Sequence, residues 1–233
     1  MDKKLLYEGK AKKVYDIGNN RVLMEFKDSL TAFNGQKKGS FMGKGELNAR
    51  ITNRIFSLLE GAGVPTALEE FVEPNSLEMK ALKMYPVEVV LRNIIAGSMA
   101  KRLGLKQGTE LKIPIIEYYF KSDELGDPWI NESHIYALGY VSSTEELSRM
   151  KSLTLRINEI LKKFFRDRGM ILVDFKLEFG KYDGEILLGD EFTPDTCRLW
   201  DASSGDVLDK DRFRRDMGKV EWGYEEVWNR IKE

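Results

Sequence analysis

The stretch ILVDFKLEFG, residues 171–180, alternates apolar and charged side chains. Successive side chains of an extended chain point to opposite faces, so its apolar residues share one face while Asp174, Lys176 and Glu178 share the other. The pattern predicts a β-strand with a core face and a charged face. Residue order alone leaves two alternatives open, in which the charged face either meets bulk water or lines a cleft.

The segment that follows predicts a β-hairpin, because the turn residues KYDG, 181–184, lead into a second strand, EILLGDEF. A two-residue loop would place Asp190 on the apolar face, whereas a three-residue loop or a bulge would place it on the same face as Glu178. Two carboxylates on one face repel unless a cation lies between them, and Mg²⁺ prefers carboxylate together with phosphate oxygens. An odd loop or a bulge would therefore make these two residues candidate magnesium ligands.

The rest of the chain predicts an α+β fold with two lobes. Residues 1–83 form the first lobe, with a small sheet and one helix, and residues 84–233 form the larger second lobe, which also mixes strands with helices. The expected helices span 45–60, 99–104 and 144–168, with more helix from about 209. The expected strands span 4–17, 21–28, 68–72 and 77–83, with a β-branched segment from 87. Ser143 and Glu146 fit a capping box at the longest helix.

The bulk composition limits the classes of function. With 37 Lys plus Arg against 38 Asp plus Glu, the net charge of −1 gives no overall field that would attract nucleic acid or an anionic membrane. The single cysteine, Cys197, and the single histidine, His134, exclude an internal disulfide and a Cys/His metal site. Any metal would therefore have oxygen ligands. Without a membrane-length apolar run or a secretory signal, we expect a cytoplasmic protein.

A glycine followed by lysines near the N-terminus is a first candidate for binding phosphate. In YEGKAKKVY, residues 7–15, Gly9 precedes Lys10 and Lys12 at a predicted strand turn. Glycine allows the backbone to approach a phosphate, and the lysines supply the opposite charge. A lysine-rich hairpin on the surface is the alternative.

A second candidate for anion binding is PVEVVLRNIIAGS, residues 86–98. Ser98 is predicted as the N-cap of a short helix, whose free N–H groups would face an anion, and Arg92 lies on the strand before it. Together they fit a phosphate clamp. An ordinary N-cap beside a surface arginine would have the same sequence.

Two charged segments lie further along the chain. DEFTPDTCRLWD, residues 190–201, carries Arg198 among several carboxylates and is too polar and irregular for a core, so it predicts the rim of a site. DKDRFRRD, residues 209–216, includes Arg214, and a solvated helix end is its simplest interpretation.

These motifs together resemble one known family. PVEVVLRNIIAGS and ILVDFKLEFG are similar to the two signature segments of the SAICAR (phosphoribosylaminoimidazole-succinocarboxamide) synthetase family, in its short bacterial form without a fused second enzyme. Further segments resemble family motifs in the same order, namely YEGKAKKVY, KGELNARI, LKMYPVEVVLRN, DPWINESH, LGDEFTPDTCRLWD and DKDRFRRD. The resemblance covers nearly the whole chain.

The resemblance implies an enzyme of de novo purine synthesis. Members use ATP to join L-aspartate to the carboxylate of carboxyaminoimidazole ribonucleotide, and they release ADP and phosphate. It also implies two α+β lobes with ATP between them, related to kinase-like and ATP-grasp-like architectures, with Mg²⁺ as cofactor and a homodimer as the assembly. Transfer of the γ-phosphoryl group would give an acyl phosphate, which the aspartate amine attacks.

The resemblance also implies roles for individual residues. The residues implied to contact the ATP phosphates or adenine are Gly9, Lys10, Ala11, Lys12, Lys80, Leu82 and Met84. Glu178 and Asp190 would hold Mg²⁺ and contact the nucleotide. Lys12, Asp174 and Lys176 would be catalytic. The residues implied to hold the ribonucleotide are Arg92, Ser98, Arg198 and Arg214.

The sequence departs from the family pattern at Asn34, where many members have an acidic residue, so no metal contact is predicted there. Two other classes of function stay open. One is a different ATP-dependent enzyme on the same scaffold, either a small-molecule kinase or a ligase with other substrates. The other is a nucleotide-binding regulatory module without catalysis, against which the full set of lysines and carboxylates argues.

Overall fold

The computed structural model describes residues 3–33 and 35–233. In this part of the chain thirteen strands and six helices form an α+β fold. The strands are β1 (Lys4–Glu8), β2 (Lys12–Gly18), β3 (Arg21–Phe26), β4 (Ser29–Ala32), β5 (Lys37–Ser40), β6 (Leu68–Val72), β7 (Ser76–Lys80), β8 (Lys83–Ile94), β9 (Glu110–Phe120), β10 (Trp129–Ile130), β11 (Met170–Tyr182), β12 (Glu185–Gly189) and β13 (Cys197–Asp201). The helices are α1 (Lys44–Gly61), α2 (Gly97–Leu103), α3 (Glu132–Ala137), α4 (Thr144–Arg166), α5 (Asp211–Arg214) and α6 (Val220–Ile231). Asn34 lies outside the described residues.

Two antiparallel sheets dominate the structure. The first has the strand order β1-β2-β3-β7-β6, and the second has the order β10-β9-β8-β11-β12, with β13 also paired to β11. The long strand β11 has β8 along one edge, and along its other edge it pairs first with β13 and then with β12. Strand β11 therefore lies at the centre of the second sheet.

One apolar core joins the sheets and the helices. On the apolar face of β11, Val173, Phe175, Leu177 and Phe179 are fully buried, which confirms the predicted core face from residue 173 onward, while Ile171 at its start is only partly buried. Helix α4 packs against this strand. Its buried stripe includes Leu147, Met150, Leu153, Ile157 and Leu161, at the spacing that places side chains on one face of a helix.

The two large sheets are joined by a short connection and by a second contact between backbones. Strand β7 ends at Lys80 and β8 begins at Lys83, where one strand was predicted over 77–83. Elsewhere, the Ala67 N–H donates to the Leu188 carbonyl at 2.8 Å, and the Leu188 N–H donates to the Pro65 carbonyl at 3.0 Å. These bonds hold the start of β6 beside β12.

The hairpin of β11 and β12 corrects one sequence prediction. Tyr182 pairs with Glu185, so the loop has two residues and should have placed Asp190 on the apolar face. However, β12 ends at Gly189, and Asp190 has a left-handed φ of 59°, so the alternation of the strand no longer applies to it. The left-handed backbone, rather than an odd loop or a bulge, allows Asp190 to pair with Lys12 in the site.

The helix ends differ from two further predictions. Ala96 is the N-cap of α2 and Ser98 is its second residue, so Ser98 is not the cap. Ser143 is the N-cap of α4, but among the described residues its side chain makes no capping hydrogen bond. Glu146 instead accepts from the backbone N–H of Ser142 at 2.8 Å, so the predicted capping box is absent here.

The C-terminal region forms two helices, α5 and α6, separated by residues 215–219, of which Asp216, Gly218 and Lys219 have left-handed conformations. Tyr224 of α6 is fully buried, whereas Trp222 is 36% exposed. Within residues 3–33 and 35–233, the helices are too short or too polar to cross a bilayer.

Candidate active site

A cleft of about 990 Å³ lies between the two large sheets. Strands β1, β2, β3 and β7 line one side, and β8, β11 and the loop after β12 line the other. The sequence-predicted residues that line it are Gly9, Lys10, Ala11, Lys12, Lys80, Leu82, Met84, Asp174, Lys176, Glu178, Asp190, Arg198 and Arg214. Arg92 lies behind this surface and donates to Asp174, and Ser98 accepts a hydrogen bond from Arg92.

The charged face of β11 points into this cleft. Asp174 and Glu178 are only 3% and 2% exposed, although their positions alternate with the core residues of the strand. Both line the cleft with Lys176 between them in sequence. The alternative of a charged face in bulk water is therefore wrong.

Glu178 is neutralised by two lysines. Lys176 Nζ lies 2.8 Å from Glu178 Oε1 and 2.5 Å from an oxygen of Glu88, and Lys121 forms an ion pair with Glu178 from the end of β9. Burial opposes ionisation of Glu178, but Lys176, Lys121 and Lys12 together hold its pKa well below the usual range. Glu178 is thus an ionised acceptor at neutral pH.

Lys12 crosses the cleft from β2 to the acidic residues after β12. Its Nζ forms an ion pair with Asp190 and lies 3.2 Å from Glu191 Oε1. Burial and the nearby charge of Glu178 raise the pKa of Asp190, because two close carboxylates repel each other. Glu178 and Asp190 would therefore gain from a cation between them.

The glycine turn between β1 and β2 forms an edge of the cleft. The Gly9 N–H donates to the Lys12 carbonyl at 2.9 Å, and a Cβ on Gly9 would lie 2.8 Å from the Tyr7 ring. A larger residue would thus require the Tyr7 ring to move. Lys10 Nζ reaches Asp123 Oδ1 at 2.7 Å, which connects the turn to the segment after β9 on the opposite side.

Arg92 holds the residues behind the cleft. It is 3% exposed, and its guanidinium donates to Asp174 Oδ2 at 2.9 Å, to Glu117 Oε2 at 2.6 Å and to the Ser98 hydroxyl at 3.3 Å. The alternative that the sequence left open, an ordinary N-cap beside a surface arginine, is therefore wrong. Arg92 is buried, and Ser98 is not the N-cap of α2.

Arg198 continues this arrangement towards the cleft. Its Nη1 donates to Asp174 Oδ2 at 2.9 Å and its Nε to Asp211 Oδ2 at 2.8 Å, while Arg214 Nη1 donates to the other oxygen of Asp211 at 2.7 Å. Gly97, with φ of 56°, leaves room for the Arg198 guanidinium. The four predicted ribonucleotide residues thus belong to one set, the arginine network, which consists of Arg92, Ser98, Asp174, Arg198, Asp211 and Arg214.

An apolar patch lines the cleft where the two sheets connect. Leu82 and Met84 follow the end of β7, and their neighbours on the cleft wall are Val14, Val22, Met24, Ala67 and Met79. Lys80 forms an ion pair with Glu69 at 3.5 Å, and its side chain is 34% exposed. This part of the cleft suits a flat apolar group.

Sequence patterns missed several residues that the fold brings to the site. Lys121 and Glu88 complete the ion pairs around Glu178 and Lys176. Glu88 shares a face of β8 with Arg92, so the alternation of that strand contained a signal for it. Lys121 follows β9, a strand that no pattern predicted, and it carried no such signal.

Asp195 anchors the loop between β12 and β13. Its carboxylate accepts from Lys44 at 2.5 Å, Asn48 at 2.8 Å and Tyr224 at 2.9 Å, and Lys210 Nζ lies 3.2 Å away. Lys44 and Asn48 lie on α1 and are fully buried. The loop that supplies Asp190 to the site and leads into the strand of Arg198 is therefore fixed to two helices.

The fold and the site together define a class of protein. A cleft between two sheets combines a glycine turn with lysines, paired carboxylates, an arginine network and an apolar patch. This combination is typical of enzymes that bind phosphorylated small molecules.

Comparison with known proteins gives the particular family. A family model described as SAICAR synthetase matches residues 5–231, and the chain belongs to this family. The phosphoribosylaminoimidazole-succinocarboxamide synthase of Thermococcus sibiricus is 54% identical over 227 residues, 97% of both chains.

Solved structures agree with this membership. A SAICAR synthetase (type 2) in complex with ADP aligns with a TM-score of 0.94 and 50% identity, over 97% of this chain and 96% of that one. Phosphoribosylaminoimidazole-succinocarboxamide synthase from Ehrlichia chaffeensis aligns with a TM-score of 0.96 and 41% identity, over 98% of both chains. The predicted family and the α+β class are confirmed.

Proposed function

We propose that this chain catalyses the reaction of the SAICAR synthetase family in purine biosynthesis. ATP drives the joining of L-aspartate to the carboxylate of 5-amino-1-(5-phosphoribosyl)imidazole-4-carboxylate, with release of ADP and phosphate. One observation carries the proposal beyond family membership. The charged face of β11, Asp190 after β12, the glycine turn, and Arg198 and Arg214 of the arginine network all line one cleft.

ATP would bind between the two large sheets, which we interpret as two lobes, residues 1–83 and 84–233, in a kinase-like or ATP-grasp-like arrangement. The apolar patch at Leu82 and Met84 would receive adenine, with Lys80 beside it. Gly9, Lys10, Ala11 and Lys12 would lie along the phosphates. The likeness to a SAICAR synthetase that was solved with ADP supports this placement.

Glu178 and Asp190 fit a Mg²⁺ ion. Both line the cleft, and the pKa of Asp190 is raised by burial and by the charge of Glu178, so a divalent cation would relieve their repulsion. Within residues 3–33 and 35–233 no group of three or more His, Cys, Asp or Glu side chains is arranged to hold a metal. Phosphate oxygens and water would complete the coordination. The ion would supply charge neutralisation at the ATP phosphates.

The arginine network would hold the ribonucleotide. Arg198 and Arg214 line the cleft and would contact its 5′-phosphate, while Arg92 and Ser98 would complete the clamp. Asp174 already binds both Arg92 and Arg198, so it holds the two guanidinium groups in a fixed relation. Substrate would therefore meet prearranged donors.

The reaction would proceed in two steps. An oxygen of the imidazole carboxylate attacks the γ-phosphorus of ATP, and the bond to the β–γ bridging oxygen breaks, which gives an acyl phosphate and ADP. The amine of aspartate then attacks the carbonyl carbon, loses a proton and expels phosphate as the amide forms. Lys12 and Lys176 would offset negative charge, and positioning of the reactants would supply most of the rate enhancement.

An ADP-release assay tests this function against the two alternatives. We expect ADP release over many turnovers to require both the ribonucleotide and aspartate, in a one-to-one ratio with the amide product. Continued ADP release that is independent of aspartate would favour a kinase. Binding of MgATP without turnover, when all three substrates are present, would favour a regulatory module. The cytoplasmic location and the homodimer stay predictions.

A further inference from the structure

We propose that Gly180 and Gly189 position the connection between the two sheets and thereby set the affinity for the nucleotide. The inference rests on the proposed function, because it takes Leu82 and Met84 as the residues that receive adenine. It concerns two glycines on the sheet beneath that connection. Neither adopts a left-handed φ, so backbone freedom does not explain glycine at these positions.

The lack of space for a side chain explains the two glycines instead. Gly180 lies opposite Met84 in the register of β11 with β8, and Gly189 ends β12 on the other side of β11. A Cβ on Gly180 would lie 2.6 Å from Leu82 Cβ and 3.0 Å from Met84 Sδ. A Cβ on Gly189 would lie 3.0 Å from Leu82 Cδ1. Both glycines thus leave room for the same side chains.

The two steric conflicts differ in how easily they can be relieved. Leu82 Cβ is fixed to the backbone, so a methyl group on Gly180 must move the connection itself. Leu82 Cδ1 is the end of a flexible side chain and can rotate away from a methyl group on Gly189. The first substitution therefore changes the site of adenine more than the second does. The arginine network shares β8 and β11 with these residues but lies at the other end of their pairing, where Asp174 pairs with Arg92, so it should be unaffected.

The test is the dissociation constant for MgATP, measured by calorimetry on matched glycine-to-alanine variants. We expect Gly180→Ala to raise Kd for MgATP roughly ten- to a hundredfold, because small displacements of a binding wall are costly, and Gly189→Ala to raise it less. Gly61→Ala on α1 is the control, since among the described residues its added methyl group meets no atom within 4 Å. The KM for the ribonucleotide should stay near the wild-type value in all three variants.

An unchanged Kd for MgATP in folded Gly180→Ala would overturn the inference, as would equal rises in the KM values of all three substrates. If Gly180→Ala fails to fold, the Kd values for MgATP of Gly189→Ala, Leu82→Ala and the double variant test the inference instead. Leu82→Ala removes Cδ1, the nearest atom that a Cβ on Gly189 would meet, and leaves Met84 Cε and Sδ at 3.2 Å. Adding Gly189→Ala to Leu82→Ala should therefore raise Kd by a smaller factor than Gly189→Ala does in the wild-type background, and an equal or larger factor would overturn the inference. Failure of the wild-type protein to bind MgATP would contradict the proposed function instead.

Discussion

Arg198 shows how one side chain of the site can be tested. Its guanidinium donates to Asp174 and to Asp211 at the same time, a geometry that the single ammonium of lysine cannot reproduce. We expect Arg198→Lys to raise the KM for the ribonucleotide by roughly tenfold or more, with little change in the KM for ATP. Arg156→Lys on the exposed face of α4 is the control, and an unchanged ribonucleotide KM in Arg198→Lys would contradict the assignment.

The buried ion pairs of Asp195 predict that the protein loses stability as the pH falls. Burial opposes its ionisation, but Lys210 and Lys44 hold its pKa well below that of an unfolded aspartate, about 3.9. A depressed folded pKa stabilises the fold above the unfolded pKa and loses that contribution as the pH falls. The free energy of unfolding should therefore decrease by on the order of 2 kcal/mol from Asp195 as the pH falls below about 5.

Urea unfolding at several pH values measures this dependence. The variant Asp195→Asn should be less stable than wild type at pH 7, because Lys44 is left buried without a charged partner. Its stability should also vary less between about pH 5 and pH 2, because the titrating group is gone. Parallel pH curves for the two proteins would show that Asp195 is not the group responsible.

Individual residues differ in how far the sequence predicts them. Alternation along β11 correctly assigned Asp174, Lys176 and Glu178 to one face. The same rule failed for Asp190, because a single left-handed residue at the end of β12 is not visible in a pattern of period two. The position of that carboxylate depends on backbone conformation as well as on side-chain order.

The packing of helix α4 against the sheet predicts how two leucine substitutions on it affect stability. Leu161 is fully buried on the stripe that packs against the sheet, whereas Leu155 on the same helix is 38% exposed. Leu161→Ala should lower the free energy of unfolding by about 2–5 kcal/mol, because it removes buried contacts and leaves a cavity. Leu155→Ala should cost about 1 kcal/mol or less, and equal losses for the two variants would contradict the packing described for α4.

The elements that sequence predicted best are those with a regular apolar period. The ends of α1 and α4 lie within about two residues of expectation, since each combines an apolar stripe with clear boundaries. Strand β9 was not predicted. It contains Pro114, which weakens a strand pattern. Its register with β8 also shifts between Arg92 and Ile94, and β10 pairs only with Tyr118 and Tyr119.

At the scale of the whole molecule, the site combines residues that are far apart in the chain. Lys12 binds Asp190, Lys121 binds Glu178 and Lys44 binds Asp195. Such partners are set by how sheets, helices and loops pack, so single segments of sequence identify the charged residues without showing which of them meet. Family resemblance supplied most of the predicted roles, and the structure adds the partners.

The central claim is that Glu178 and Asp190 bind a divalent cation together with the phosphates of ATP. Calorimetric titration of ATP with and without Mg²⁺ tests it most directly, in wild type, Glu178→Gln, Asp190→Asn and the exposed control Glu159→Gln. The account predicts that Mg²⁺ strengthens ATP binding to wild type and Glu159→Gln, and that this gain is largely lost in the two site variants. An equal gain from Mg²⁺ in all four proteins would contradict it.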